Sequence, residues 1–141
     1  MLGTTMYEHV LAVTDGSPEA ERAVEAASAL ARAHRARLTV AAVVELERPG
    51  RHCAYGSSEW NEVLRDAARA DLSRAWGLIQ VPAEFEIFYG KPVDAVADGA
   101  RAIGCDVIVV AGSPHGIGKV LRRDRTPALR RRVACEVIQP D

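Results

Sequence analysis

The chain has 141 residues, 48% of them hydrophobic, with 18 basic and 19 acidic side chains. That is enough for one domain with a real core, spanning 1–141. The near-zero net charge excludes a global electrostatic case for nucleic acid or membrane partners, and no run of about 18 apolar residues is present to span a bilayer. The N-terminus lacks a charged-then-apolar leader, so a cytoplasmic protein is expected, with residues 1–6 a frayed extension before the first strand.

Strand and helix patterns alternate from end to end. His9–Thr14 (HVLAVT) reads as the first strand. Ser17 follows as an N-cap, with Pro18 at the first helical position and Glu19 and Glu21 at the positive end of the dipole. Ala20, Ala23, Val24, Ala27, Leu30 and Ala31 then recur at helical spacing. Leu38–Val44 (LTVAAVV) is a second buried strand, and residues 45–57, with Pro49, Gly50 and Gly56, read as a long loop.

A second helix is expected from about Ser58 to Leu78, with Leu64, Ala68, Leu72, Ala75 and Ile79 on one face. Phe85, Ile87 and Tyr89 alternate with Glu84 and Glu86, the pattern of an edge strand with one face in water. Gly90-Lys91-Pro92 opens a third helix, with Val93, Val96, Ala97, Ala100 and Ile103 inward and Gly104 as its stop. The apolar run 106–111 is a fourth strand, a short Arg-rich helix ends near Val133, and Cys135–Ile138 is the last strand. Five strands and four helices in strict alternation make an α/β protein with a parallel sheet covered on both faces through right-handed crossovers.

In such a sheet ligands bind beyond the carboxyl ends of the strands. Two segments fall there. Thr14-Asp15-Gly16-Ser17 ends the first strand, and its carboxylate either accepts hydrogen bonds from a ribose or caps the next helix. Gly112 to Gly118 follows the fourth strand, and its backbone N–H groups either favour an anion or form only a tight turn.

That loop is not a P-loop. Five residues separate Gly112 from Gly118, and Val120 follows Lys119 where a metal-binding hydroxyl is required. The dinucleotide pattern fails as well, because Leu121 takes its last glycine position when counting starts at Gly116.

Between 119 and 132 seven basic side chains face only Asp124, a local excess of six that leaves about minus seven elsewhere. Such a cluster either meets phosphates or forms a solvated helix face. Cys53, Cys105 and Cys135 show no Cys-x-x-Cys pair and read as reduced thiols, with Cys105 and Cys135 buried at strand starts. The four histidines show no metal spacing, adjacent His52 and Cys53 make only a weak ligand pair, and no nucleophile elbow is present, so catalysis has little local support.

Three segments resemble the universal stress protein family: EHVLAVTDGSPEAERAVEAASALARAHRARLTVAAVVE, GKPVDAVADGARAIGCDVIVVAGSPHG and the closing VACEVIQP. The resemblance runs from His9 to Pro140. It implies a Rossmann-like, adenine nucleotide α-hydrolase-like sheet in order 3-2-1-4-5. It also implies a homodimer paired through the last strand, here Glu136, Val137 and Ile138. An exposed strand edge needs cover of that kind.

ATP-binding members of the family carry Gly, two residues, Gly, nine residues, then Gly-Ser or Gly-Thr after the fourth strand. Gly112 matches the first glycine, while His115 stands at the second and Gly116 follows. The Gly-Ser position falls on Arg123-Asp124 counted back from Val133, or on Arg125-Thr126 counted forward. Both alignments lose a glycine.

The resemblance therefore implies an adenine nucleotide, ATP with Mg in the first instance. It would have Thr14 and Asp15 at the ribose, Val43 at the base, and Gly112, Ser113, His115, Gly116, Gly118 and Asp124 at the phosphates. Three functional readings follow. The first is a non-catalytic stress sensor or adaptor, with or without ATP. The second is a nucleotide-independent module that docks an unknown protein partner through the Arg helix and the loop at 45–57. The third is a slow ATP hydrolase using His115 or Asp124.

Overall fold

A computed structural model describes residues 6–46, 57–111 and 126–140. Within them the elements are β1 (His9–Thr14), α1 (Pro18–His34), β2 (Arg37–Val44), α2 (Ser57–Trp76), β3 (Glu84–Tyr89), α3 (Pro92–Ile103), β4 (Val107–Val109), α4 (Thr126–Arg132) and β5 (Glu136–Ile138). The strands form one parallel sheet in the order β3-β2-β1-β4-β5. The expected architecture and strand order are both present. Leader and frayed-extension expectations for 1–5 lie outside the described residues, and Met6 is exposed.

Local chemistry sets the helix ends. Ser17 is extended and its Oγ accepts the Ala20 N–H at 3.1 Å, with Pro18 in the first turn. Gly104 ends α3 in the left-handed region and donates its N–H to Ala100 O. At the end of α1 the same left-handed role falls to Arg35, at φ 54°, whose N–H reaches Ala31 O and Arg32 O. A residue with a β-carbon is disfavoured there.

Strand alternation distributes the core over two layers. Val10, Ala12, Val40, Val107 and Val109 face α1 and the C-terminal part of α2, with Ala23, Val24, Ala27 and Ala31 packed into them. Leu11, Ala41, Ile108 and Val137 face α3 and α4, meeting Val96, Ala97, Ala100 and Leu129. Burial on both faces explains why β1 and β4 read as continuous apolar runs. The small side chains of α1 let it lie close to the sheet.

Two strand expectations change. The run 106–111 yields only β4, Val107–Val109. Asp106 instead turns its carboxylate back to the start of β1, where Oδ2 accepts the Glu8 N–H at 2.8 Å and Oδ1 the His9 N–H at 3.1 Å. Its backbone still bonds to both neighbouring strands, Asp106 N donating to His9 O at 3.0 Å and Asp106 O accepting from Glu136 N at 3.4 Å.

The second change is in β3. It is the expected edge strand with Glu84 and Glu86 exposed, but its far end departs from alternation. Phe88 leaves the water and lies on Gly99 of α3, where a β-carbon would stand 2.6 Å from the ring's Cδ2 and Cζ. Tyr89, expected inward, is 49% exposed. The second face of β3 is therefore covered by α3 at its end, a contact that depends on the missing side chain of Gly99.

Cys105 and Cys135 are free thiols and half-buried, less enclosed than expected.

Candidate functional site

Strand order reverses between β1 and β4: the chain builds leftward from β1 to β3, then returns to add β4 and β5 on the other side. The carboxyl ends of β1 and β4 flank a topological switch point, where open α/β sheets form a crevice. Asp15 stands at that point, immediately after β1, and is exposed.

The turn carrying it is tightly specified. Asp15 Oδ1 accepts the Ser17 N–H at 2.9 Å, and Thr14 Oγ1 accepts the Gly16 N–H at 3.1 Å. Gly16 has φ 80°, a region that a β-carbon disfavours. Asp15 does not cap α1, which Ser17 does; one of its carboxylate oxygens instead closes a local turn onto the Ser17 N–H while the group stays at the surface. Thr14 is buried and its hydroxyl works inside the turn.

Val43 is half-buried near the end of β2 and packs on the α3/α4 side of the sheet. Val13 near the end of β1 and Val110 just after β4 belong to the same partly covered apolar group. Three strand ends therefore place apolar side chains on one side of the sheet, at the end where Asp15 stands. Val13 was readable by its parity with Leu11; Val110 lay inside the apolar run and carried no separate signal.

A further pair was not readable from sequence. Asp71 and Arg74 of α2 form an ion pair at 2.5 Å, directly over Gly16. Burial raises the Asp71 pKa, the nearby Asp15 charge raises it further, and Arg74 opposes both. An Asp and an Arg three residues apart pair on the surface of many helices and mark no site by themselves. The turn they cover lies far away in sequence.

Gly112, Ser113, His115, Gly116, Gly118 and Asp124 lie outside the described residues, as do Arg123 and Arg125. Thr126, the alternative hydroxyl of the forward count, is buried at the start of α4 and accepts the Gln139 Nε2–H at 3.2 Å. Two of the clustered arginines have intramolecular partners: Arg130 Nη2 donates to Val137 O at 3.2 Å, and Arg132 pairs with Asp94 of α3. Among the described residues no group of three His, Cys, Asp or Glu side chains could hold a metal ion, and no helix is long and apolar enough to cross a membrane.

A sequence model of the Universal stress protein family matches residues 6–138. Universal stress protein A homolog 1 of Coxiella burnetii is 28% identical over 141 residues, covering 94% of each chain. A crystal structure of a universal stress protein in complex with cAMP aligns over 97% of this chain and 99% of its own, at 23% identity and TM-score 0.71. The universal stress protein from Archaeoglobus fulgidus in complex with dAMP aligns over 96% and 97%, at 21% identity and TM-score 0.61. At those identities the structural likeness speaks for the fold. The family match covers nearly the whole chain, and the protein belongs to the universal stress protein family.

Proposed function

We propose that the protein is a stress sensor or adaptor that binds an adenine nucleotide at the carboxyl ends of β1, β2 and β4 without turning it over. The observation that carries this reading is Asp15, an exposed carboxylate at the switch point, at the same end of the sheet as the partly covered Val13, Val43 and Val110. A ribose has hydroxyl donors for the carboxylate, and an adenine ring has flat apolar faces for the valines. The described residues fit that end of a nucleotide by both criteria. ATP, brought in with Mg, remains the first candidate, with the 112–124 backbone at its phosphates. Solved relatives bound to cAMP and dAMP support an adenine nucleoside phosphate more broadly.

In this reading the protein works in the cytoplasm as a homodimer joined through Glu136, Val137 and Ile138. A docking role for the Arg helix is not favoured, because Arg130 and Arg132 already have partners within the chain.

The test is the melting temperature with and without excess nucleotide, beside mass spectrometry of any nucleotide that co-purifies. A ligand that binds only the folded state at about 100 times its Kd adds roughly 2.7 kcal/mol. An upward shift with ATP, AMP or cAMP is the expected outcome. No shift with any of them at millimolar concentration overturns the reading.

A further inference from the structure

One backbone group on the outer edge of β5 is capped by the chain itself. In a parallel pair each residue directs its N–H and C=O to the same side, and the next residue directs both away. Glu136 N donates to Asp106 O at 3.4 Å, and Ile138 O accepts from Val110 N at 3.0 Å. Glu136 and Ile138 therefore bond inward to β4, and Val137 presents both backbone groups to the free edge. Arg130 of α4 covers that edge, its Nη2 donating to Val137 O at 3.2 Å in a partly buried bond.

Val137 is also the natural centre for pairing with a second copy. A twofold axis beside it would let its N–H and C=O bond to the same two groups of the other chain, antiparallel. Glu136 would then lie across from Ile138 of that copy and not from another Glu136, so no like charges meet. Arg130 occupies the carbonyl half of this self-complementary pair.

We propose that Arg130 is a gate on the sheet edge: strand pairing between two copies requires its guanidinium to leave Val137. The inference rests on the strand-paired dimer suggested above. Only the side chain has to move. Leu129 is buried, Gln139 bonds to Thr126, and Arg132 pairs with Asp94, so α4 stays seated while the exposed Arg130 swings out. Any event that draws Arg130 away, such as an anion meeting its guanidinium, would promote association. The nucleotide site and the oligomeric state need not be linked.

Sedimentation velocity over a concentration series, without nucleotide, tests this on the wild type and on Arg130→Ala and Arg130→Lys. Two partly exposed caps are released per dimer, so Arg130→Ala should tighten dimerisation by about tenfold, with Arg130→Lys between it and the wild type. Exchange of the Val137 amide, followed by NMR at low and high concentration, supplies the second readout. It should slow on association, since that N–H becomes paired across the interface. An unchanged or weakened dimer in Arg130→Ala overturns the gate, as do monomers in both proteins at the highest concentration reached. Association that leaves the Val137 amide unprotected overturns both the gate and the β5 dimer, and leaves nucleotide binding standing.

Discussion

Gly16 lies beneath the carboxylate of Asp71, so the turn that carries Asp15 is built against α2 and not only by its own hydrogen bonds. A β-carbon at Gly16 would stand 2.9 Å from Asp71 Cγ and would collide with the carboxylate oxygen and the Arg74 guanidinium. The backbone, at φ 80°, is unfavourable for any other residue as well. Gly16→Ala should therefore destabilise the protein by about 1–3 kcal/mol. Chemical denaturation measures it. Because Asp71 and Arg74 end in side chains that can shift, Gly16→Ala in an Asp71→Ala background should recover part of the loss.

His9 gives the fold a pH dependence. It is buried at the start of β1 with Nε2 2.7 Å from Thr39 Oγ1, and burial, aided by the Arg37 charge, lowers its pKa below the usual 6.5. The sign follows from linkage. As pH falls through about 6.5 the unfolded chain takes up the proton first, so stability is present above that value and is lost below it, with a slope of at most about 1.4 kcal/mol per pH unit from this residue. Unfolding free energies at pH 7.5, 6.5 and 5.5 should fall for the wild type and be flatter for His9→Gln. Equal slopes in the two proteins would remove His9 as the source.

Arg35 is the weak helix end. Its left-handed backbone at φ 54° occupies the position where glycine usually closes a helix. Arg35→Gly should relieve that strain and, after the greater freedom of glycine in the unfolded chain, stabilise the protein by about 0.5–1 kcal/mol. Thermal denaturation reads the gain.

The thiols should be inert. Burial, then the neighbouring Cys135, pushes the Cys105 thiol up to about 12, and burial raises Cys135. Alkylation of a Cys53→Ser variant at pH 7.5 should label Cys105 at least about a hundredfold more slowly than a peptide thiol, because the reactive thiolate is scarce. Labelling in guanidinium should be complete. A native rate near that of a peptide would contradict the environment seen here.

What the sequence disclosed depended on whether the signal was local. Ser17, Pro18 and Gly104 act within one helical turn of their own positions, and each ends its helix as expected. Glu84 and Glu86 marked the edge strand because alternation is a two-residue pattern. Phe88 escaped that reading because its cover, Gly99, sits on α3, and a missing side chain leaves no pattern. Asp106 read as the first residue of a strand because its two backbone partners, Glu8 and His9, are nearly a hundred residues away. At the site the same division holds. Asp15 was a candidate from its place at the end of the first strand and Val43 only through the resemblance to the family, whereas Asp71 and Arg74 reach Gly16 only through the docking of α2 on the sheet.

Nucleotide binding at the cleft turns on contact between Asp15 and the ribose. Isothermal titration of ATP, AMP and cAMP into the wild type and Asp15→Asn is the test, because asparagine keeps an oxygen for the Ser17 N–H while it loses the charge and the second acceptor oxygen. Saturable binding of at least one of the three is expected, weakened by about tenfold in Asp15→Asn while the melting temperature of the free protein is little changed. Absence of binding, or binding of equal strength in both proteins, would contradict it.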